Sequence, residues 1–242
     1  MVNIDTVYQR VLALANKEQR GYITPQEFNL FANQAQMDIF EQYFYDVNQF
    51  GRLPGNSTSG SDMLDYLEEK IDYFKEQRNV NINSTTEFYN IGAVINDLYK
   101  IDSVIYNDDS TCEQVNTNQV KNMLNSRLYA PTSYNPIYEI KRSNISANGN
   151  QGLRLFLYPS SLTERITVNY IRSPKKAQWS GYNVSGTELY NSSTSDNFEL
   201  HASEETKLVI KILQLAGIAM KDPSLYQIGA AEDNKNIQQE KR

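Results

Sequence analysis

The side chains best suited to covalent chemistry are a single histidine and a single cysteine in a chain of 242 residues. Histidine-assisted nucleophilic catalysis would have to use His201, which lies in Leu-His-Ala-Ser-Glu-Glu at the entrance to a predicted helix. Cys112 has acidic neighbours at Asp108, Asp109 and Glu113, which would raise the pKa of its thiol instead of activating it. We therefore expect His201 to lie beside a helix cap or in a loop, and neither residue to be catalytic.

Carboxylates offer two further kinds of site. Glu68-Glu69 and Glu204-Glu205 have the residue type of a glycosidase acid and base, but solvated charge on a helix explains each pair. The acidic run around Asp108 lacks the spacing and the central glycine of an EF-hand loop. Phosphate-binding and dinucleotide-binding glycine patterns do not occur in the sequence. We expect no bound metal, no cofactor and no enzymatic activity.

One cluster combines basic and aromatic side chains. Arg172, Lys175 and Lys176 are followed by Trp179, and these cations are candidates for a weak contact with DNA phosphates. The alternative is an exposed, charged exit from a strand. The formal net charge of −6 opposes general nucleic-acid binding, because domains with that role are usually basic.

The element with the clearest signals is a long helix over residues 25–47. Thr24 and Glu27 form a capping-box pattern around Pro25, which suits the first helical position. Two apolar stripes follow. The first predicts the internal core, and the second is a candidate subunit interface; their members are Phe28, Phe31, Ala32, Ala35 and Ile39 in the first, and Met37, Phe40, Phe44 and Val47 in the second.

The periodicity of the remaining chain predicts helices before and after a β-rich middle. We predict helices at residues 4–16, 62–77, 112–127, 204–219 (capped by Ser203) and 224–240, strands at 98–106, 137–142, 153–158 and 165–171, and an exposed loop or ribbon at 181–197.

These elements predict an α+β fold. A helical bundle would form from the N- and C-terminal helices, with a small antiparallel β-sheet inserted in the middle. Its regions would be 1–79 (a helical hairpin plus a third helix), 80–197 (β-rich) and 198–242 (helices packing on the N-terminal bundle), within one domain overall. No segment has the length of a membrane span or the pattern of a signal peptide, so we expect a soluble protein made in the cytoplasm with no membrane partner.

Four segments carry a resemblance to a known family. They are Asn135-Pro-Ile-Tyr-Glu-Ile140, Leu153-Arg-Leu-Phe-Leu-Tyr-Pro159, Ile166-Thr-Val-Asn-Tyr-Ile-Arg-Ser-Pro174, and Phe198-Glu-Leu-His201 continuing to Leu208-Val-Ile-Lys-Ile-Leu-Gln-Leu-Ala-Gly217. This pattern is similar to that of head-to-tail connector proteins (portal adaptors) of tailed phages. The opening Gly21-Tyr-Ile-Thr-Pro-Gln-Glu-Phe-Asn29 also resembles structural proteins of crAss-like and related marine short-tailed phages.

The resemblance implies a non-enzymatic virion protein. Such adaptors form a twelvefold ring beneath the portal, contact other ring or tail proteins, and extend the channel through which double-stranded DNA passes. The expected assembly is therefore a homo-oligomeric ring in the virion. The alternative is a non-enzymatic interaction module or assembly scaffold that acts as a monomer or dimer.

Overall fold

The computed structural model describes residues 1–17, 23–50, 62–81, 88–143, 152–184, 187–219 and 231. The chain divides into two compact units. Met1–Tyr73 and Pro174–Arg242 together form one, here called the helical unit. Phe74–Ser173 forms the other, here called the sheet unit. The helical unit is therefore discontinuous in sequence, and the sheet unit is inserted between its two parts.

The helical unit takes its helices from both ends of the chain. Its described elements are α1 (Ile4–Lys17), α2 (Pro25–Phe50), α3 (Asp62–Asp72), the hairpin strands β8 (Gly181–Val184) and β9 (Thr187–Tyr190), a 3₁₀ turn (Ala202–Glu204) and α6 (Glu205–Ala219). Helix α6 packs against α1 and α2, and α3 packs against α2. The helix predicted at residues 224–240 lies outside the described residues, apart from Ala231.

The start of α2 confirms the predicted capping box. The Thr24 N–H and hydroxyl donate to Glu27 Oε2 over 3.0 and 2.8 Å, and the Glu27 N–H donates to Thr24 Oγ1 over 3.3 Å. These hydrogen bonds from Thr24 lower the pKa of the Glu27 carboxyl. The helix continues to Phe50, three residues beyond the predicted end.

The sheet unit contains a large curled sheet. Its described elements are β1 (Lys75–Val80), β2 (Tyr89–Asn90), α4 (Ile91–Val94), β3 (Leu98–Tyr106), β4 (Ser110–Gln114), α5 (Thr117–Leu124), β5 (Ile137–Ser143), β6 (Gly152–Tyr158) and β7 (Ile166–Arg172). Seven strands pair in the order β1-β7-β3-β4-β5-β6-β2, and they form a half-barrel.

The predicted fold class is wrong. The sheet is neither small nor purely antiparallel, because seven strands join it and β4 pairs with β5 in parallel. The fold is therefore not a helical bundle with a small inserted sheet, but a strand-rich structure with six helices among the described residues. The four predicted strands exist as β3, β5, β6 and β7, and the additional strands β1, β2 and β4 enlarge the sheet.

Two of those additional strands replace predicted helix. Residues 75–77 belong to β1, which pairs antiparallel with β7, so α3 ends earlier than predicted. Residues 112–114 belong to β4, and the helix predicted from residue 112 begins only at Thr117. Strand pairing with distant partners therefore overrides the local helical spacing in both segments.

The core of the sheet unit lies on both faces of the sheet. One face holds the larger cluster, which includes Val104, Leu155, Ile166, Val168 and Tyr170. The other face holds a smaller cluster of Val115, Val120 and Ile137, with Val120 contributed by α5. Apolar residues on alternate sides of β5 fill both clusters, because successive side chains of a strand point to opposite faces.

Candidate interaction surfaces

The histidine caps a helix entrance. His201 is the N-cap residue of the 3₁₀ turn, and its Nδ1 accepts from the Ser203 N–H over 3.3 Å. The Ser203 hydroxyl lies 2.8 Å from the same nitrogen and accepts from the Tyr66 hydroxyl over 2.9 Å. The capping position predicted at Ser203 is therefore wrong, since His201 supplies it. The hydroxyl contact at Nδ1 is part of this local cap and not a separate nucleophile site.

Glu204 is a buried residue and not solvated charge, which corrects the interpretation made from sequence. It forms an ion pair with Lys70, and the two side chains are only 4% and 7% exposed. The Lys70 ammonium also lies 4.3 Å from the centroid of the Tyr66 ring and 5.4 Å from that of Tyr43. This pair links α3 to the start of α6 inside the helical unit.

The remaining acidic residues divide by environment. Glu205 forms an ion pair with Arg10, in which Oε1 and Nη1 lie 2.8 Å apart, whereas Glu68 and Glu69 are exposed on α3. Asp108 lies in a turn with a positive φ of 58° and is bonded to the Thr167 hydroxyl over 2.8 Å. Within the described ranges, no group of three or more His, Cys, Asp or Glu side chains is placed to hold a metal ion.

Cys112 is buried in the larger core cluster of the sheet unit. Burial raises the pKa of its thiol to about 11. A raised pKa was predicted from the acidic neighbours, but desolvation is the main cause. A buried thiol with this pKa stays protonated near neutral pH and is a poor nucleophile.

The residues of the predicted basic cluster are divided between the two units and do not form one site within either of them. Arg172 lies in the sheet unit, where its Nε is 2.9 Å from Glu76 Oε1 and its guanidinium lies 5.8 Å from the Phe74 ring centroid. Lys175 and Lys176 lie in the helical unit and are exposed. The burial and ion pair of Arg172 argue against a contact with DNA, whereas the two lysines remain accessible candidates.

Trp179 is a core residue. Its indole N–H donates to Asp5 Oδ1 over 3.0 Å, and its ring lies 4.4 Å from that of Tyr8 and 6.2 Å from that of Tyr190. The ring is therefore enclosed by the helical unit and is not a platform on which a base could stack.

A row of side-chain amides on α2, here called the amide ladder, was not predicted from the sequence. It consists of Asn29, Asn33 and Gln36, which follow helical spacing. Asn33 donates to the Ala177 carbonyl over 2.8 Å and accepts from the Ala177 N–H over 2.9 Å. Asn29 makes the same two bonds with the Trp179 backbone, over 3.0 and 2.8 Å.

The third amide completes the ladder. Gln36 is buried, donates to the Lys175 carbonyl over 2.7 Å and accepts from the Glu199 N–H over 3.2 Å. Alternate residues of the extended segment 175–179 therefore bond to successive turns of α2, as a strand would bond to a neighbouring strand. The sequence signal was the 4,3 spacing of Asn29, Asn33 and Gln36, which resembles an apolar stripe but consists of amides.

The candidate subunit interface on α2 divides by burial. Phe40 is fully buried within the helical unit and packs edge-to-face on Phe44 at a centroid distance of 5.1 Å. Met37, Phe44 and Val47 are half-buried. Phe40 thus contributes to the internal core, and only the other three have surface that a neighbour could reach.

A different stripe of α2 is more exposed. Leu30, Gln34, Asp38, Glu41 and Tyr45 follow one another at spacings of three or four residues, and we call them the acidic stripe. Leu30 is 71% exposed and Tyr45 is 57% exposed. Asp38 accepts from the Gln34 amide over 2.8 Å. Large apolar side chains therefore stand in water on both sides of two carboxylates.

The sheet unit carries the second exposed apolar surface. Residues 125–136 join α5 to β5, and we call them the tyrosine loop. Leu128, Tyr129 and Tyr134 are 90%, 72% and 83% exposed. Three such side chains in one short loop are unusual for a surface that meets only water. The sequence did not predict this loop, and the helix predicted to residue 127 ends instead at Leu124.

None of the helices in the described part of the chain is both long and apolar enough to cross a membrane. A scan against protein-family models matches no family, and a search of curated proteins finds no match to this chain.

Proposed function

We propose that this protein is a structural subunit of a virion, which forms a ring-shaped head-to-tail connector between portal and tail and extends the DNA channel. One observation carries the proposal. Among the described residues, exposed apolar surfaces occur on both units, and two of them are the acidic stripe in the helical unit and the tyrosine loop in the sheet unit. A subunit in a closed ring needs two different surfaces that mate with each other, because head-to-tail contacts are heterologous.

The polar residues support a structural role. The best candidates for chemistry are committed to structure, since His201 caps a turn, Cys112 is a buried thiol and Glu204 pairs with Lys70. The proposal therefore assigns no reaction, cofactor or metal to the chain. The resemblance of four segments to phage adaptors supports the same assignment.

The net charge of the chain is compatible with DNA that passes through a channel. A formal net charge of −6 repels phosphate overall, so that DNA could slide without being held. Lys175 and Lys176 are the cations proposed to face the channel, because both are exposed, whereas Arg172 is buried. Lys175 is exposed although its Nζ lies 3.9 Å from Glu199 Oε1. The portal and neighbouring tail or ring proteins are the proposed partners.

The decisive experiment is to measure the size and symmetry of the purified protein. We expect mass photometry to show a single high-order oligomer, and negative-stain electron microscopy to show closed rings, with twelve subunits as the specific expectation. A monomer or dimer at all accessible protein concentrations would contradict the connector proposal and favour the interaction module or scaffold.

A further inference from the structure

We propose that adjacent copies of this chain join by seating the tyrosine loop of one copy on the acidic stripe of the next. The inference rests on the proposed ring and names the two surfaces that would build it. The occupant of the acidic stripe is thus a second copy of this chain, and the contact is between copies.

The tyrosine loop has the character of a preformed anchor. The Ser126 hydroxyl accepts from the backbone N–H groups of Leu128 and Tyr129 over 3.3 Å each. At the other end, the Thr132 N–H donates to the Asn135 carbonyl over 3.4 Å, and the Asn135 N–H donates to the Thr132 hydroxyl over 3.3 Å. These local bonds hold the backbone while its large side chains remain exposed, which lowers the entropy lost on binding.

The acidic stripe offers an extended surface along one helix. Leu30 and Tyr45 are fifteen residues apart on one helix, which corresponds to about 22 Å along the axis. Glu41 is exposed one turn before Tyr45, and the half-buried Met37 lies one turn before Glu41. Apolar contact area therefore alternates with carboxylates along the same side of α2.

Charge decides which partner fits. Helix α2 contains no lysine or arginine, and the acidic stripe includes two of its four acidic residues, Asp38 and Glu41, so two acidic stripes facing each other would repel. The tyrosine loop contains one charged side chain, Arg127, which is exposed. An apolar loop with a cation therefore complements an apolar helix face with anions.

The like charges of the acidic stripe also bear on the symmetry of the assembly. A self-complementary dimer through the acidic stripe would place like charges together, whereas loop-to-stripe contacts leave one unused loop and one unused stripe on each growing oligomer. Such a heterologous contact closes into a ring when the rotation between neighbouring copies is a whole fraction of a turn, and otherwise extends as an open filament. The tyrosines suit the centre of the contact, since Tyr is among the residue types that contribute most to interfaces.

Charge reversal tests the contact. We expect Arg127→Glu alone, and Glu41→Arg alone, each to weaken assembly at least tenfold in concentration. Combining Arg127→Glu with Glu41→Arg, or with Asp38→Arg, should restore assembly. Matched controls reverse exposed charges outside both surfaces, Lys100→Glu on β3 and Glu69→Arg on α3, and should assemble like the parent.

The outcomes separate this inference from the proposed function. Rings that form normally in both single reversals would overturn the loop-to-stripe contact and leave the connector proposal intact. So would single reversals that weaken assembly without rescue by either combination. A parent protein that stays monomeric would overturn both proposals.

Cross-linking gives a second test that does not depend on assembly strength. In a Cys112→Ala background, Leu128→Cys and Tyr45→Cys are made as separate proteins and treated with a short bismaleimide. We expect covalent dimers only when the two proteins are mixed and allowed to co-assemble. Efficient cross-linking of either protein alone would show a self-complementary contact and would overturn the inference.

Discussion

Each unit of this protein contains a close ion pair, and burial separates the two. Lys70 and Glu204 in the helical unit are 7% and 4% exposed, whereas Arg165 and Asp108 in the sheet unit are 48% and 50% exposed. Lys70 and Glu204 are 134 residues apart in sequence and join α3 to the start of α6. Arg165 and Asp108 instead pair at the surface, beside a turn whose neighbouring strands are already hydrogen-bonded to each other. An ion pair therefore joins distant helices in the helical unit, whereas in the sheet unit it adds only a contact at the surface.

The difference follows from how helices and strands use their backbones. A helix satisfies its interior N–H and C=O groups within itself, so it offers no backbone partner to an extended segment beside it. In the helical unit the side chains of the amide ladder supply those partners for residues 175–179. In the sheet unit the backbone groups of β3 and β7 instead bond to each other directly. Polar substitutions should consequently cost more in the helical unit.

The largest expected effect is the loss of the buried cation. Lys70→Met leaves the Glu204 carboxylate buried without its partner, which should destabilise the helical unit by about 3–5 kcal/mol. Urea unfolding followed by Trp179 fluorescence measures this, because the single tryptophan is buried in the same unit.

Two variants sharpen that result. Lys70→Met combined with Glu204→Gln removes both charges and should recover most of the lost stability. Arg165→Met removes the exposed cation of the sheet unit and should have a much smaller effect, followed there by the accessibility of the buried Cys112 thiol to a dithiodipyridine reagent. Equal losses for Lys70→Met and Arg165→Met would show that burial does not distinguish the two pairs.

An intermediate effect is expected from the amide ladder. Asn33→Ala removes both bonds to the Ala177 backbone and leaves a partly buried N–H and C=O without that partner. We expect a loss of about 2–4 kcal/mol, again followed by Trp179 fluorescence. Asn48→Ala, at an exposed position on the same helix, is the matched control. If both variants unfold at the same urea concentration, the ladder contributes no stability.

The sequence carried the local features of this fold but not its long-range ones. The cap at Thr24 and Glu27 depends on four consecutive residues and was predicted correctly. The strand at Leu98–Tyr106 was also predicted, because β-branched and aromatic residues dominate it. Such signals need no knowledge of what each element packs against.

The size of the sheet could not be predicted in the same way. Strand β1 reads Lys-Glu-Gln-Arg-Asn-Val, which lacks apolar alternation and resembles the end of an amphipathic helix. It is a strand because it pairs with β7, about 90 residues later in the chain. Pairing over that distance leaves no local pattern, so a helical bundle with a small sheet was predicted in place of a seven-stranded sheet.

The candidate surfaces were predicted only in part. An apolar stripe on α2 indicates surplus surface, but its period cannot distinguish a fully buried residue such as Phe40 from a half-buried one such as Phe44. The tyrosine loop is exposed because no other described part of its folded unit packs over its large side chains. The sequence of the loop itself carries no signal for this.

The smallest expected effect concerns the exposed pair and its pH dependence. Hydrogen bonds from Thr167 and Arg165 lower the pKa of the Asp108 carboxyl below its ordinary value of 3.8. The folded state therefore favours the charged form, and this contribution is present above pH 3.8 and is lost as pH falls through the lowered pKa. Asp108→Asn removes it while keeping a residue type that tolerates the positive φ of this turn.

We thus expect Asp108→Asn to be slightly less stable than the parent at pH 7, and the difference to shrink as pH falls below 3.8 towards the lowered pKa. Urea unfolding at each pH, followed by the accessibility of the buried Cys112 thiol to a dithiodipyridine reagent, reports on the sheet unit. A difference that grows on acidification would contradict the sign of the pKa shift. A loss at pH 7 as large as that of Lys70→Met would contradict the comparison between the two ion pairs, because an exposed pair is screened by water and a buried pair is not.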